Sequence, residues 1–305
     1  MCLQQLSLVD DTLEILGMSK AYRRLYNWVI RTIMGWIVLI FFINISDSIW
    51  LNYEYFSIIR IFVPFIINHL DHVNIFIALI WGILLRYIGS RFQRINEYIR
   101  NLFEDAEHIE KRNKLILIAQ QRTEANKCKQ YIWIIMHVHL QLCLISHELN
   151  KVFNIPMTLK MAGYFLTCVD ISRQIYRSYI DKDMVIDIGQ AIDNAGIFIF
   201  GITHNIIFLT LNYICQTLND KANETITILY KLSNDNLDKD LCEQILQFIL
   251  QIKQRELKIS GMGLFYFGYD FIRKFYMSVM TILVIIIQMH LPNPYHYIPP
   301  INSKS

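Results

Sequence analysis

The sequence has few of the residues that interrupt helices, since 11 of its 305 residues are glycine and 6 are proline. Its six cysteines form no Cys-x-x-Cys pair, and none lies at metal-ligand spacing from a histidine, so no metal centre is expected. It contains no nucleophile elbow, phosphate-binding loop or zincin helix, so we expect neither an enzyme nor a cofactor. Basic residues are scattered among acidic ones at a net charge of +3, which argues against a nucleic-acid partner.

What the chain has instead is apolar sequence. Hydrophobic residues make up 54% of it and aromatic residues 13%, and the mean hydropathy is +0.31. This composition is too apolar for an ordinary soluble domain and predicts a protein embedded in a lipid bilayer. The first 28 residues carry six charged side chains and no apolar core, so we expect no secretory signal.

Stretches of about 20 apolar residues, the length that crosses a bilayer, predict five spans. Four of them are largely uncharged: 29–48, 73–89, 194–215 and 275–292. The fifth, 157–178, is weaker because it contains Lys160, Asp170 and Arg173. The predicted fold class is therefore all-α, a polytopic membrane helical bundle with long cytoplasmic helix extensions.

The distribution of lysine and arginine predicts the orientation of these spans, because both residues accumulate in cytoplasmic loops. Segment 90–130 contains nine of them and segment 217–274 contains eight. Segments 49–72 and 179–193 contain one each, as does the tail after Met289. Five spans place every loop on its expected side, with the amino terminus cytoplasmic and the carboxy terminus extracellular.

Two further apolar segments are ambiguous. Residues 131–147 could replace 157–178 as a span, but we interpret them as the cytoplasmic half of one long helix that enters the membrane near Pro156. Residues 56–70 contain Arg60 and Pro64, which favours an outer loop or the slanted start of the second span. The predicted segments are a cytoplasmic amino-terminal segment (1–28), four spans with a cytoplasmic helical loop 90–156 within 29–215, cytoplasmic anchor helices and an interfacial segment 216–274, the last helix 275–292 and an extracellular tail 293–305.

The cytoplasmic segment before the last span has its own pattern. Within 238–259, apolar residues recur at the spacing of an amphipathic helix: Leu241, Ile245, Phe248, Ile249 and Ile252. The helix is predicted to end at the glycines of 260–263, and the aromatic run that follows is typical of a membrane interface.

A polar stripe runs along the last span. The spacing of three, four and three residues places Ser278, Thr281, Ile285 and Gln288 on one helical face. A glutamine amide that has no hydrogen-bond partner in lipid costs roughly several kcal/mol, so Gln288 must face protein or water. Three interpretations remain at this point: a polar contact with a neighbouring helix, the lining of a water-filled path, or a position among the outer headgroups.

These residues resemble the last span of the insect gustatory receptor family, which has Thr-Tyr, five apolar residues and then Gln-Phe. Here Thr281 and Gln288 match, whereas Ile282 stands in place of Tyr and Met289 in place of Phe. Other segments are similar to the family as well: the Gly-rich aromatic run 261–270, Arg91-Phe92 with Ile95-Asn96, and 147–153.

The chain departs from the family in length. Family members have seven spans, whereas five are predicted here, and the opening segment resembles the loop that normally follows the second span. The sequence therefore looks like a receptor without its first two helices, through a truncated gene model or, as the alternative, a real short form. Losing an even number of spans preserves the orientation of all that follows.

The resemblance implies a taste receptor that is a subunit of a ligand-gated, non-selective cation channel. Such channels are homo- or heterotetramers in the plasma membrane of sensory neurons, they bind small-molecule tastants, and the last helix lines the pore for permeant cations. When the family's motif is carried over to this sequence, Gln288 and Met289 match the positions of the gate and Thr281 matches the start of the motif. Ser278 and Ile285 share the face that would line the pore. Met289 in place of Phe changes the shape expected of the closed constriction.

The resemblance also implies an outward-opening ligand pocket in each subunit. Polar groups within spans are expensive and commonly functional, so they are the candidates for this pocket. The predicted ligand-binding residues are Asp170, Arg173, His204, Asn205, Asn74 and Trp81. The alternative to ligand binding is that Asp170 and Arg173 only neutralise each other and that the other four residues only pack in the core.

Three rival functions fit some features of the sequence. A G-protein-coupled receptor requires a cytoplasmic carboxy terminus, which the charges contradict. A transporter leads us to expect repeated halves and broken central helices, and neither is found. A non-conducting accessory or truncated subunit fits the five-span form.

Overall fold

A computed structural model describes residues 2–18, 22–52, 56–112, 118–180, 188–233 and 239–290 of the chain. Within these ranges the chain forms eight helices and one short β-hairpin. In chain order they are α1 (Cys2–Ile15), α2 (Tyr22–Leu51), α3 (Ile58–Ile67), α4 (His69–Arg112), α5 (Ile118–Ile180), α6 (Ile188–Ser233), α7 (Lys239–Gln254), β1 (Ser260–Gly261), β2 (Phe265–Tyr266) and α8 (Tyr269–His290). The all-α membrane bundle predicted from the sequence is confirmed.

Four helices of the described chain are long and apolar enough to cross a membrane, judged by length and composition: Tyr26–Ile49, His69–Leu102, Asn126–Tyr176 and Phe198–Ser233. They coincide with or overlap the first four predicted spans. The last predicted span, 275–292, falls on α8, which the structure describes as far as His290. That α8 crosses the bilayer, and the orientation of all five spans, stay predictions.

The helices extend well beyond the predicted spans. α5 is a single helix of 63 residues with Pro156 inside it, which confirms that 131–147 and 157–178 belong to one helix. The predicted segment boundaries at 215 and 274 fall inside α6 and α8, which continue unbroken across them. Backbone hydrogen bonding within a helix does not depend on the edge of the bilayer, so charge patterns do not mark the ends of helices. The predicted tail 293–305 lies outside the described residues.

The ambiguous segment 56–70 is helical. α3 occupies Ile58–Ile67 with Pro64 inside it, and α4 begins at His69, while the choice between an outer loop and the start of the second span stays a prediction. α3 is held against the end of α2 because the Ser48 hydroxyl donates to the Ile61 carbonyl at 2.9 Å. The segment is a short helix that leads into α4.

α7 confirms the amphipathic pattern. All five residues of the predicted stripe, Leu241, Ile245, Phe248, Ile249 and Ile252, are buried. The helix ends at Gln254, earlier than the predicted 259, because the chain straightens to enter the hairpin. Asp238, the predicted helix start, lies outside the described residues.

The predicted glycine break is a β-hairpin turn. Ser260 pairs with Tyr266 and Gly261 with Phe265, while Met262 and Gly263 adopt positive φ angles of 50° and 72°. Glycine takes this conformation without strain, which explains Gly263 at the turn.

The rings after this turn were predicted to lie at the membrane interface, and that position stays a prediction. The hairpin folds them back against the helices, so Phe267 and Phe275 are buried, 2% and 6% exposed. Phe265 stacks on Phe271 with ring centroids 4.2 Å apart, and Phe275 packs against Phe208 of α6 at 4.4 Å. These phenylalanines of the aromatic run therefore pack in the core that carries α8, while Tyr266 and Tyr269 are exposed.

The most extensive helix contact joins α4 to α6. The two helices approach closely at Gly82, where a side-chain Cβ would lie 3.2 Å from Leu211 Cδ2. Further along, the Thr225 hydroxyl donates to Asn96 Oδ1 at 2.6 Å, and the Asn96 amide donates to the Lys221 carbonyl at 2.9 Å. Apolar and polar contacts together fix the pair.

A buried ion pair attaches α1 to this core. Arg91 of α4 donates to Asp10 at 3.0 Å, both side chains are 4% exposed, and the Tyr87 hydroxyl also donates to Asp10. Leu6, Val9 and Leu13 bury the apolar face of α1 around it. Removing one partner of a buried ion pair leaves the other charge buried without a counter-ion, which is strongly destabilising. The pair therefore holds α1 firmly against α4.

We expect Asp10→Asn to destabilise the protein by about 3–5 kcal/mol, because Arg91 then stays buried without a counter-ion. Asp10→Leu combined with Arg91→Met removes both charges and recovers most of that loss. The thermal midpoint of the purified protein in detergent, followed by tryptophan fluorescence, measures both effects. Lys258→Gln is the control, because its pair with Glu256 at 2.8 Å is exposed to solvent, which screens the attraction, so its loss should leave the thermal midpoint nearly unchanged. Equal shifts for Asp10→Asn and Lys258→Gln would contradict this account.

Candidate functional site

α8 packs against the rest of the chain through one face. Phe275 and Val279 on that face are buried, and Tyr276 beside them is half-buried. The polar stripe predicted from the sequence lies on the opposite side. Ser278, Thr281, Ile285 and Gln288 are all exposed, and Met289 next to Gln288 is 79% exposed. The stripe is thus one continuous face directed away from its own chain.

The side chains of the stripe differ in how they are satisfied. The hydroxyls of Ser278 and Thr281 each donate to the carbonyl four residues earlier, Lys274 and Met277, both at 2.9 Å. Within the described residues the exposed Gln288 amide has no such partner. The groups that could satisfy this amide are therefore a second subunit, water or the headgroups, since no helix of its own chain hydrogen-bonds to it over the described ranges.

A cavity of about 770 Å³ lies between α2, α3, α5 and α6. The charges predict that this end of the bundle faces outwards. The polar side chains on its wall are Ser46, Asp47, Asn68, Thr167, Asp170 and Gln174. The rest of the wall is mostly apolar, with Phe42 and Phe200 among its rings. An apolar cavity with a few converging polar groups is the usual form of a small-molecule site.

Of the six predicted ligand residues, Asp170 lies on the wall of this cavity. Arg173 Nη2 donates to Asp170 Oδ1 at 2.8 Å, and Gln174 Nε2 donates to Asp170 Oδ2 at 3.1 Å. The pair neutralises itself while about half of the Asp170 side chain stays exposed. Asp170 therefore has acceptor capacity left for a polar ligand.

His204 lies away from the cavity, in a charged cluster that the sequence did not reveal. Its Nδ1 lies 2.9 Å from the Phe200 carbonyl and its Nε2 lies 3.2 Å from Asp71 Oδ2. Lys160 of α5 is nearby, with Nζ 5.0 Å from the centroid of the Tyr164 ring. Sequence reasoning placed Asp71 in the outer segment 49–72 and missed its pairing with His204, because the two residues are on different helices far apart in the chain.

Asn205 connects α6 to α8. Its amide donates to the Gly201 carbonyl at 2.8 Å, and its Oδ1 accepts from the Tyr276 hydroxyl at 2.7 Å. The two remaining candidates lie elsewhere. Asn74 is exposed on α4, and Trp81 is fully buried with its ring edge against Phe267 at 5.2 Å.

A second polar network supports the cavity wall. Asn68 Nδ2 donates to Asp47 Oδ2 at 2.8 Å and to Asn44 Oδ1 at 3.1 Å, and Asn44 Nδ2 lies 2.9 Å from His72 Nε2. The sequence carried one signal for this network, since Asn44, Asp47 and Ser48 share a helical face within the first span. Among the described residues, no group of His, Cys, Asp and Glu is arranged to hold a metal ion.

Comparison with known proteins agrees with this architecture. The family model described as "7tm Chemosensory receptor" matches residues 1–293. The structure of the insect olfactory receptor OR5 from Machilis hrabei is similar to this chain with a TM-score of 0.59 at 12% sequence identity. The match covers 94% of this chain and 77% of the olfactory receptor, and at that identity it shows a shared fold. No match is found among the curated proteins.

The family match extends over nearly the whole chain, including α8 and its polar stripe. It confirms the resemblance drawn from the terminal motif at the level of chemosensory receptors. The chain belongs to the 7tm chemosensory receptor family.

Proposed function

We propose that this chain is a taste receptor and one subunit of a ligand-gated, non-selective cation channel in the plasma membrane of sensory neurons. The observation that supports the proposal most is the direction of the polar stripe on α8. The Ser278 and Thr281 hydroxyls are satisfied within the helix, but the Gln288 amide on the same face points away from its own chain and, within a membrane, needs another subunit or water. A tetramer with α8 around a central axis provides both.

In such a tetramer the stripe lines the pore. Thr281 and Ser278 offer acceptor oxygens to hydrated cations, and Ile285 forms an apolar ring that closes the path by dewetting. Gln288 and Met289 form the gate. An unbranched methionine fills irregular gaps, so Met289 closes the constriction by flexible packing in place of a rigid ring.

α7 supports the assembly from the other side. Its buried stripe faces its own chain, yet Leu246 and Leu250 on its outer face are 45% and 58% exposed. They are one turn apart and form an apolar surface that a second subunit can cover. This surface is where we place the anchor between subunits.

The ligand binds in the cavity beside Asp170, and contiguous contacts connect that cavity to α8. Ile171 lies on the cavity wall and packs tightly on α6, since a Cβ at Gly201 would lie 2.5 Å from Ile171 Cδ1. The Gly201 carbonyl accepts from Asn205, and Asn205 accepts from Tyr276. A ligand that displaces Ile171 thus moves the α6 segment that is hydrogen-bonded to the pore helix.

Gln288→Lys tests the pore directly. A ring of lysines at a constriction repels cations, so ligand-evoked current should fall at least about tenfold. The measurement is whole-cell current in cells without added G proteins, with surface biotinylation to confirm delivery. Gln288→Asn keeps the amide and should retain the current. Equal currents from both variants, or no current from the parent chain on the surface with any tastant, would contradict the proposal.

Tyr276→Phe tests the link to the cavity. It removes the hydroxyl that donates to Asn205, a bond of about 1 kcal/mol, so the half-maximal ligand concentration should rise about fivefold. Asn205→Ala should produce a similar shift, and the double variant should add little, because both changes remove one interaction. Tyr269→Phe is the matched control, since this exposed tyrosine begins the same helix. Additive shifts, or equal shifts for Tyr269→Phe and Tyr276→Phe, would disprove the link.

A further inference from the structure

A second cavity, of about 500 Å³, lies between α2, α4 and α6 at the opposite end of the bundle. It lies where the spans 73–89 and 194–215 meet the side that the charges predict to be cytoplasmic. Its wall includes Trp28 from α2, Arg86 and Arg94 from α4, and Lys221 from α6. The taste-channel proposal assigns no role to this cavity.

The wall of the cavity is basic. Arg86, Arg91, Arg94 and Lys221 lie on it, and Glu97 is the single carboxylate among its described lining residues. The charge of Arg91 is neutralised by Asp10, whereas Glu97 accepts a hydrogen bond from Gln93 Nε2 at 2.9 Å and keeps its single negative charge. The remaining cationic groups leave an excess of positive charge facing the cavity.

Arg86 is the least committed of these groups. Its guanidinium lies over the Trp28 ring, 4.2 Å from the centroid, and it forms no ion pair with a carboxylate of the described chain. Stacking on a ring leaves the edge donors of a guanidinium available, and those donors match the oxygens of a phosphate. Trp28 thus orients Arg86 without using its hydrogen-bonding capacity.

The cavity is also apolar on one side. Leu85, Ile214 and Leu218 form one stretch of its wall, and the first two belong to predicted spans. Trp28 and Tyr213 are rings of the type that collects at membrane interfaces. A free inorganic anion would contact only the basic part of this wall. A phospholipid would contact both parts, with its phosphate on the basic side and the start of its acyl chains on the apolar side.

We propose that this cavity binds the phosphate headgroup of an anionic phospholipid. Arg86 and Lys221 contact the phosphate oxygens from opposite helices, and Thr217 offers a hydroxyl between them. Lys221 lies 3.4 Å from Glu224, but Arg100 also pairs with that carboxylate, so Lys221 keeps donors for the phosphate. Basic pockets between helices on the cytoplasmic side are a general form of lipid headgroup site. The bound lipid joins α4 to α6 beyond their direct contacts and stabilises the bundle.

The test uses the purified chain in a neutral detergent and three probes: dioctanoyl phosphatidylglycerol, dioctanoyl phosphatidylcholine and inorganic phosphate. We expect native mass spectrometry to show one phosphatidylglycerol per chain, together with a higher thermal midpoint. Phosphatidylcholine and inorganic phosphate at the same concentration should give neither. Arg86→Gln with Lys221→Gln should weaken phosphatidylglycerol binding at least about tenfold, since each basic group near a lipid surface contributes substantially.

Lys231→Gln with Lys239→Gln removes two charges from exposed positions outside the cavity and should bind phosphatidylglycerol like the parent. Size-exclusion profiles and the midpoints without lipid show that both double variants are folded. Inorganic phosphate that stabilises as well as phosphatidylglycerol would overturn the lipid assignment. Equal affinity for both lipids, or equal loss in the two double variants, would overturn the site.

Discussion

The packing of α8 against α6, which includes the hydrogen bond from the Tyr276 hydroxyl to Asn205, determines which face of α8 meets its own chain. Phe275 and Val279 bury the same face, and the aromatic rings after the hairpin hold the start of the helix against α6. Because a helix is rigid, fixing this face against the chain also fixes the direction of the opposite face, which carries the polar stripe. The stripe that ends at Gln288 must point outwards, and the proposed pore follows from that direction.

The same constraint explains the polar groups deeper in the bundle. In a membrane they need partners on neighbouring helices, and the pairs they form become the joints between helices. Asp71 with His204 joins α4 to α6, and Asn44 with His72 joins α2 to α4. The cavity beside Asp170 lies among these joints, so a ligand there contacts elements that are already coupled by specific hydrogen bonds.

The sequence predicted what local periodicity encodes. The stripe on α7, the continuity of α5 through Pro156 and the shared face of the polar residues on α8 are all properties of one segment, and spacing along the chain defines them. Periodicity shows which residues share a helical face, but it does not show which other helix packs against that face. The pairs that hold the bundle, such as Asp71 with His204, join residues far apart in the chain, so a single sequence could not reveal them.

The central claim is that the stripe on α8 faces the same stripe in other subunits. Oxidative crosslinking in membranes measures this most directly, with the parent chain and its native cysteines as background. Gln288→Cys is expected to form disulfide-linked dimers of roughly twice the 36.2 kDa chain mass, whereas Val279→Cys on the buried face stays monomeric. A monomeric Gln288→Cys variant, or equal crosslinking at both positions, would contradict the account.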